Sequence, residues 1–244
     1  MIRILTYNVH RCLGTDRRLD VDRVADVIAA QAPDIVALQE LDVGRARTRG
    51  VDQAHEIARR LGMVSRFHAA LQVEEELYGD AILTALPERL IKAGPLPGHP
   101  RFPRLEPRGA LWVAVTVGGV ELQVLNTHLG LVPREQRIQV AALRGPAWLG
   151  GPERRGPLVV VGDLNAGRAS AAFRALAQGM TDARLARDGG RGARTFPSQM
   201  PVLQIDHVLV GEGLIVRGVD APMDPLTRRA SDHLPLVVDL ELTA

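Results

Sequence analysis

Short runs of apolar, mostly β-branched residues recur along the chain, and several of them end in an acid, an amide or a histidine. The clearest run is 158–161, Leu-Val-Val-Val, which is followed at once by Gly162, Asp163 and, two residues later, Asn165. A β-branched run this short predicts a buried strand rather than a helix. Because side chains alternate along an extended chain, Asp163 and Asn165 are expected to point the same way from its carboxyl end.

The same pattern recurs at five other runs. They are 2–8, which ends in Asn8; 35–40, which ends in Glu40; 120–125, which leads to His128; 205–210, which opens around Asp206 and His207; and 234–242, which follows Asp232 and His233. Open α/β sheets bind ligands at the carboxyl ends of their strands. The simplest interpretation is one site at which these six strand ends converge.

Helix start and stop residues bound four amphipathic stretches. These stretches predict helices at about 20–31, at 53–61, from Pro133 to near Gly145, and from Ser170 through Ala177. Asp20 or Asp22 is expected to cap the first helix, and Gly62 to end the second.

A pair of glycines marks the clearest turn. Two β-rich runs, 111–117 and 120–125, flank Gly118-Gly119, which predicts a tight antiparallel hairpin. Further strands are expected near 64–70, 80–85 and 214–219, and loops over 41–51, 94–109 and 186–201. Mixed parallel and antiparallel strands with helices between them predict an α/β (α+β) fold in one domain, 1–244, with two sheets packed together and covered by helices.

Composition narrows the classes of function. The 244 residues include 46% hydrophobic residues, enough for a large core, and a net charge of +2 gives no strong field for nucleic acid or an anionic membrane. Aromatic residues are only 3%, which is poor material for stacking bases. Cys12 is alone, so an intramolecular disulfide is excluded. Without a long apolar run or a secretion signal, no transmembrane segment is expected and the cytoplasm is the expected location.

The residue types at the strand ends favour a hard cation. Glu40 and Asn8 offer carboxylate and amide oxygens, although an exposed strand-end glutamate and a turn-capping asparagine are the simpler alternatives. His233 has Asp232 beside it and Asp206 as a second acid that could orient its ring, the usual arrangement of a general acid or base. His207 is expected to pack in the core, and His10, His55, His68 and His99 are expected to be structural, His10 least securely of these.

Several other chemistries are disfavoured. The chain has no cysteine pair and no histidine spacing typical of zinc sites. It also lacks a Walker loop, a dinucleotide-binding glycine motif and a Gly-x-Ser-x-Gly elbow. Carboxylates, amides and histidines around a hard metal suit attack of water on a phosphate ester, because the metal offsets the anionic charge and an imidazolium stabilises the phosphoryl oxygens.

Seven motifs, in order, carry a resemblance to a known family. They are Thr6-Tyr-Asn-Val9, Leu38-Gln-Glu40, Tyr78-Gly-Asp-Ala-Ile-Leu83, Asn126-Thr-His-Leu129, Gly162-Asp-Leu-Asn165, Ile205-Asp-His207 and Ser231-Asp-His-Leu-Pro235. Together they resemble the endonuclease/exonuclease/phosphatase superfamily, which includes DNase I-like nucleases, sphingomyelinases and inositol-polyphosphate phosphatases. The resemblance covers the chain end to end and implies a four-layer α/β sandwich with two mixed sheets inside.

The resemblance also implies roles for the residues. Glu40 corresponds to the principal Mg²⁺ ligand, with Asn8 beside it. Asp163 corresponds to the residue that orients or deprotonates the attacking water next to the metal. His233 corresponds to the essential histidine, paired with Asp206. The remaining implied positions are Asn165 (phosphate and metal), Asp232 (a second metal-side or orienting acid), His128 (the scissile phosphate) and Tyr78 (substrate).

Loops rich in arginine are expected to surround the cleft and select the substrate. Arg108, next to the hairpin, is a candidate anion contact because a guanidinium can hold a phosphate bidentately; a solvated loop arginine is the alternative. Two residues depart from the family pattern. Asp80 stands where asparagine is common, and Gln204 stands where a basic residue is common.

The sequence therefore predicts a monomeric, Mg²⁺- or Mn²⁺-dependent phosphoesterase, and within that class a phosphodiesterase. The motif around His128 is more similar to the sphingomyelinase, inositol-phosphatase and tyrosyl-DNA phosphodiesterase branches than to apurinic endonucleases. The phosphate-ester substrate stays open among a small molecule, a lipid headgroup and nucleic acid. The alternatives are a DNA endonuclease or exonuclease with the same chemistry, and a binding protein on a retired hydrolase fold.

Overall fold

Two six-stranded sheets lie face to face in the computed structural model, which describes residues 1–188 and 192–243. The strands are β1 (Ile2–Asn8), β2 (Ile35–Val43), β3 (Val64–Val73), β4 (Glu76–Thr84), β5 (Glu88–Pro95), β6 (Gly109–Val117), β7 (Val120–Thr127), β8 (Leu158–Asp163), β9 (Thr181–Asp182), β10 (Asp206–Val210), β11 (Leu214–Asp220) and β12 (Leu236–Leu242). The first sheet has the order β11-β12-β1-β2-β4-β3, and the second has the order β5-β6-β7-β8-β10-β9.

Six α-helices of the described residues flank the two sheets. They are α1 (Val21–Ala29), α2 (Gln53–Leu61), α3 (Pro133–Arg144), α4 (Ala171–Leu176), α5 (Ala183–Asp188) and α6 (Pro225–Ala230). The predicted caps are confirmed at three helices. The carboxylate of Asp20 accepts from the backbone N–H of Arg23, the hydroxyl of Ser170 accepts from that of Phe173, and Gly62 ends α2 in a left-handed conformation.

Three apolar cores separate the four layers. The inner core joins alternate residues of both sheets, among them Ile4, Val113, Val159 and Val238. A second core packs the outer face of the first sheet against α1 and α2, and a third packs the second sheet against α3 and α4. Each fully buried aliphatic side chain contributes roughly 1.5–3 kcal/mol. The four-layer α/β sandwich that the sequence predicted is confirmed.

Strand pairing brings the polar strand ends together. β1 pairs parallel with β2, and β7 pairs parallel with β8, so within each pair the carboxyl ends meet at one edge of the sheet. β10 runs antiparallel to β8 and begins with Asp206 directly opposite Asp163. These registers place residues from both sheets at one end of the sandwich.

Some predicted boundaries and loops were wrong. The predicted loop 41–51 begins with three residues of β2 and contains a 3-10 turn at Ala46–Thr48, and the predicted loop 94–109 gives its ends to β5 and β6. The sequence analysis missed strand β5 because its apolar and polar residues do not alternate cleanly. It is an edge strand that ends in proline, so one of its faces need not be apolar. In the predicted loop 186–201, α5 includes residues up to 188, and residues 189–191 lie outside the described residues.

The hairpin and the helix lengths follow the sequence more closely. Gly118 and Gly119 both have positive φ, 57° and 85°, as a tight two-residue hairpin turn requires. Among the helices that the structure describes, none is long and apolar enough to cross a membrane.

Candidate active site

Glu40 reaches the site because a β-bulge turns it there. The register between β2 and β4 shifts between Leu38 and Leu41, so Gln39 and Glu40 together oppose Asp80. Glu40 has φ 61°, a left-handed conformation that a side chain other than glycine adopts only at some cost. Bulges redirect side chains in this way near active sites. The carboxylate of Asp80 accepts a hydrogen bond from the backbone N–H of Glu40 and so helps hold the bulge.

Asn8 connects the two sheets across the site. Its Nδ2 donates to Glu40 Oε1 at 2.9 Å and to Asp163 Oδ2 at 3.1 Å, and its Oδ1 accepts from the backbone N–H of His10. The side chain is buried at the end of β1. The sequence-predicted positions Asn8, Glu40 and Asp163 therefore form one hydrogen-bonded group.

Asp163 lies at the centre of the site. Gly162 before it has φ 135°, and a Cβ there would lie 1.9 Å from the carbonyl oxygen of Thr127, so only glycine lets β7 and β8 approach this closely. Asp163 Oδ1 accepts from the backbone N–H of Asn165 at 2.8 Å. Burial, followed by the negative charge of Asp206, raises the pKa of Asp163.

His233 lies between two carboxylates. Its Nδ1 is 2.9 Å from Asp206 Oδ2 and 3.2 Å from Asp206 Oδ1, and its Nε2 is 3.7 Å from Asp163 Oδ2. The hydroxyl of Thr195 donates to Oδ2 of Asp206, the oxygen nearer to the His233 ring. Burial alone would lower the pKa of His233, but the attraction of Asp206 and its hydrogen bond, with Asp163 adding to them, raise it to about 10. The ring is therefore an imidazolium at neutral pH.

The same interactions keep Asp206 ionised. Burial would raise the pKa of Asp206, but the charge of His233, with hydrogen bonds from His233 and Thr195, outweighs it and lowers the pKa. The predicted Asp206–His233 pair is thus formed in the structure, and Asp163 lies on the other side of the same ring.

His128 approaches the same oxygen of Asp163 but has different neighbours. Its Nδ1 is 2.9 Å from Arg108 Nη1, and its Nε2 is 3.0 Å from Asn165 Nδ2 and 3.5 Å from Asp163 Oδ2. The guanidinium of Arg108 and the NH2 of Asn165 can only donate, so the single lone pair of a neutral ring accepts from one of them. Arg108, which is charged and makes the shorter contact, places the lone pair on Nδ1 and the proton on Nε2, toward Asp163; the approach of Asn165 Nδ2 to Nε2 is then a contact between two donors. Burial, followed by the charges of Arg108 and His233, holds the pKa of His128 well below its usual range. This ring is neutral.

Arg108 and Tyr78 lie beside His128 and Glu40 rather than in open solvent. Arg108 is 8% exposed, and its second partner is Glu106, at 2.6 Å. This geometry favours a role through His128 over the predicted bidentate phosphate contact. Tyr78 is buried under the guanidinium of Arg47, and burial, followed by the charge of Glu40, raises its pKa.

Asp232 and His10 form a separate pair. The carboxylate of Asp232 lies 3.7 Å from His10 Nδ1 and accepts from the hydroxyl of Ser231. In the part of the chain that the structure describes, no hydrogen bond or ion pair joins Asp232 to Glu40, Asn8 or Asp163. Of the predicted metal-side residues, Asp232 is thus the one that the structure does not bring into contact with the others.

His207 packs in the core, as the sequence predicted. Its ring nitrogens contact Asp182 Oδ2 at 3.1 Å and the carbonyl oxygen of Ala166 at 2.9 Å, and its ring packs on Phe173. The second departure from the family pattern, Gln204, donates to the carbonyl oxygen of Gly192.

Sequence reasoning missed the residues that support the site from below. Asn126 donates to the carbonyl oxygens of Leu38 and Ala81 and accepts from Gln39 Nε2, so it ties β7 to the bulged strand across the two sheets. Asn126 and Gln39 lie inside two of the motifs that carry the family resemblance, and this position could have identified them as site residues. Thr195 lies in an aperiodic segment and gave none.

The donor set fits a hard divalent cation. Glu40 is half-buried, and within the described residues no arginine, lysine or histidine forms an ion pair with it. Single atoms of Asp163, Asp206 and His233 also lie within 4.8 Å of one another. That trio is a poor metal site, however, because a protonated His233 has no lone pair to offer. The carboxylate oxygens of Glu40 and Asp163 suit Mg²⁺ or Mn²⁺. Asn8 presents its NH2 to both carboxylates and its oxygen to the backbone of His10, so it orients these two groups.

Known proteins share the sequence pattern and the fold of this chain. The sequence profile of the Endonuclease/Exonuclease/phosphatase family matches residues 5–233. The Escherichia coli K12 protein YbhP is 27% identical over 251 residues, 98% of this chain and 96% of YbhP. A Beutenbergia cavernae endonuclease/exonuclease/phosphatase structure superposes with a TM-score of 0.80 at 24% identity, over 100% of this chain and 72% of that one. A Bacteroides thetaiotaomicron mannosyl-6-phosphatase superposes with a TM-score of 0.75 at 17% identity, over 99% of this chain and 100% of that one.

The two solved structures share the fold at low identity, and the profile match extends over nearly the whole chain. The chain belongs to the endonuclease/exonuclease/phosphatase family.

Proposed function

We propose that this protein is a Mg²⁺- or Mn²⁺-dependent phosphoesterase, and within that class a phosphodiesterase. The observation that carries the proposal is the charged His233 held between Asp206 and Asp163, with Glu40 and Asn8 beside Asp163. A phosphate ester is negatively charged, and the negative charge on its phosphoryl oxygens increases as water attacks. The site places the buried imidazolium of His233 next to the carboxylate of Asp163, so one group can stabilise that charge while the other holds the water.

Each side chain has a task that its contacts support. Asp163, held by the backbone of Asn165 and the amide of Asn8, orients the attacking water and accepts its proton. His233, kept protonated by Asp206, stabilises the phosphoryl oxygens. His128 donates from Nε2 to a phosphoryl oxygen, and Asn165 lies beside it to contact the same group.

A cation would be held by Glu40 with Asp163 next to it, and Asn8 would orient both carboxylates. When bound, it supplies charge that offsets the phosphate and favours ionisation of the water. Asp232 is left with a smaller role at the edge of the site, because its partner is His10.

A diester is the first candidate because the motif Asn126-Thr-His-Leu129 resembles the sphingomyelinase and tyrosyl-DNA phosphodiesterase branches of the family. The mannosyl-6-phosphatase of similar fold keeps the monoester as the second candidate.

The test is a metal-dependent activity screen. The substrates are bis-p-nitrophenyl phosphate, p-nitrophenyl phosphate, abasic DNA, inositol phosphates and sphingomyelin, each with Mg²⁺, with Mn²⁺ and with excess EDTA. We expect hydrolysis of the diester with either metal and none with EDTA. Glu40→Gln should raise the Mg²⁺ concentration needed for half-maximal activity at least tenfold, with an unchanged circular dichroism spectrum.

Two outcomes would contradict the proposal. Full activity in excess chelator would remove the metal, and faster hydrolysis of the monoester than of the diester would replace phosphodiesterase by phosphatase. Glu56→Gln is the matched control, since Glu56 bonds to Arg59 on the exposed face of α2 and should leave the Mg²⁺ requirement unchanged.

A further inference from the structure

A fully buried arginine lies directly behind the catalytic pair. Arg184, in α5, is 0% exposed. Its Nη2 donates to the carbonyl oxygen of Asp206 at 2.6 Å, and its Nε donates to that of Ala193 at 2.9 Å. Asp182 is its counter-ion, 3.8 Å from Nη1. Taking a charge out of water costs several kcal/mol unless the charge is paired and hydrogen-bonded. The burial of Arg184 therefore needs a structural or functional reason.

The two carbonyl groups that Arg184 holds belong to segments that meet at Asp206. One is the first residue of β10, Asp206 itself. The other is Ala193, whose φ of 53° is left-handed and strained for a residue with a side chain. Two residues later, the buried hydroxyl of Thr195 donates to Asp206 Oδ2. One guanidinium therefore ties down both the main chain of Asp206 and the segment that supplies its hydroxyl donor.

We propose that Arg184 is a positioning residue for the Asp206–His233 pair. By fixing the Asp206 backbone and the segment that leads to Thr195, it sets the direction in which the Asp206 carboxylate presents its oxygens to His233 Nδ1. In the described contacts Arg184 touches neither His233 nor Asp163. Its Nη1 also lies 3.4 Å from Nδ1 of His207, and its contact with the pair is the one with Asp206. Its positive charge also favours the ionised form of Asp206.

The alternative is an arginine that stabilises the fold and nothing more. Arg23 provides that comparison within the same chain. It is 8% exposed and donates to the carboxylate of Asp16 and to the carbonyl oxygen of Arg18. Arg23 lies on α1, in a different layer from Asp206, so its loss should affect stability alone.

The experiment compares Arg184→Met with Arg23→Met by two readouts. The first is the imidazole N–H proton resonance of His233, which is furthest downfield when Nδ1 donates to a carboxylate; its absence in His233→Ala assigns it. The second is the kinetics of bis-p-nitrophenyl phosphate hydrolysis with Mg²⁺. In Arg184→Met the resonance should move upfield or broaden, and kcat should fall at least tenfold with KM within twofold. In Arg23→Met the melting temperature should fall while both readouts stay unchanged.

Thr195→Val keeps the proposal testable if Arg184→Met does not fold. It removes only the hydroxyl that donates to Asp206, and it should shift the same resonance and lower kcat severalfold. An unshifted resonance with unchanged kcat in folded Arg184→Met, or in Thr195→Val when Arg184→Met is unfolded, would overturn the inference.

The kinetic readout rests on the proposed function, but the resonance does not. If the wild-type protein hydrolyses no phosphate ester and Arg184→Met still shifts the His233 proton, the proposed function fails and the positioning role stands. If the wild-type protein is active and neither readout changes in folded Arg184→Met, the positioning role fails and the proposed function stands.

Discussion

Two histidines flank Asp163 at nearly the same distance, and they carry opposite protonation states. His233 Nε2 lies 3.7 Å and His128 Nε2 lies 3.5 Å from the same oxygen of Asp163, and both rings are almost fully buried. Burial therefore does not distinguish them. The partner at the other ring nitrogen does, because it is the carboxylate of Asp206 for one ring and the guanidinium of Arg108 for the other.

This difference divides the chemistry of the site. His233 lies between two carboxylates that raise its pKa to about 10, so its ring stays protonated at neutral pH and can stabilise developing negative charge. A ring against a guanidinium keeps a lone pair on Nδ1 and offers one N–H from Nε2. His128 and His233 are therefore not interchangeable, although both are histidines at strand ends in the sequence.

The largest expected effect on catalysis comes from removing the histidine rings. His233→Ala should lower kcat by ~10²–10⁴-fold with little change in KM, the range typical of a general acid–base group. Asp206→Asn should lose a similar amount. The double variant should be scarcely worse than either single variant, because groups that act as one unit are not additive. The measurement is a double-mutant cycle on bis-p-nitrophenyl phosphate.

His128→Ala is the contrasting arm of that cycle. It should also slow the reaction, but its loss should multiply with that of His233→Ala, since the two rings act from different strands and through different partners. Multiplicative losses for Asp206 and His233 would show that they do not work as a pair, and Asp206 would then have to be assigned to the metal or to structure.

A smaller effect tests the charge states directly through pH. Because the pKa of His233 is raised to about 10, wild-type activity should persist as pH rises and fall as pH passes through about 10, where the imidazolium is lost. At the acid end, activity should fall as Asp163 is protonated, and its raised pKa moves that fall to higher pH than for an ordinary aspartate.

Asp206→Asn sharpens this test. Without the carboxylate, the alkaline fall should move down toward the ordinary histidine pKa of ~6.5. Arg108→Gln should leave it in place, because Arg108 contacts the other ring. An alkaline limb that stays in place in Asp206→Asn would mean that His233 is not the group that titrates. Mg²⁺ is the metal for these profiles, with non-enzymatic hydrolysis subtracted at each pH.

The sequence was sufficient for the parts of this site that follow strand alternation. Asp163 ends one buried strand, and Asp206 opens the strand that pairs with it. Asn165 lies two residues beyond that strand with φ 47°, a left-handed conformation that strand alternation does not predict. The fold followed as well, because apolar runs and turn residues locate most of the strands.

Other parts depended on long-range packing that leaves no local pattern. The bulge that turns Glu40 inward depends on the register of a neighbouring strand. Arg108 was predicted to contact phosphate because a guanidinium can hold a phosphate bidentately. Nothing in its proline-rich loop indicates that the guanidinium is buried against a ring 20 residues away. Arg184 and Thr195 stand in stretches without periodicity, so only the structure connects them to Asp206.

The smallest expected effect concerns Arg108, and it decides between the two accounts of that residue. If Arg108 holds the substrate phosphate, as the sequence suggested, Arg108→Gln should raise KM. If it holds His128, as the 2.9 Å contact indicates, the variant should lower kcat about tenfold with KM within twofold, since losing one hydrogen bond from a charged group costs ~1.5–3 kcal/mol and tenfold in rate corresponds to ~1.4 kcal/mol. The ¹⁵N shifts of His128 should also change from one fixed tautomer to a mixture. Arg101→Gln, an exposed arginine in the same loop, is the control and should change neither constant. A raised KM with an unchanged tautomer would return Arg108 to the phosphate and leave His128 to be held by Asn165 alone.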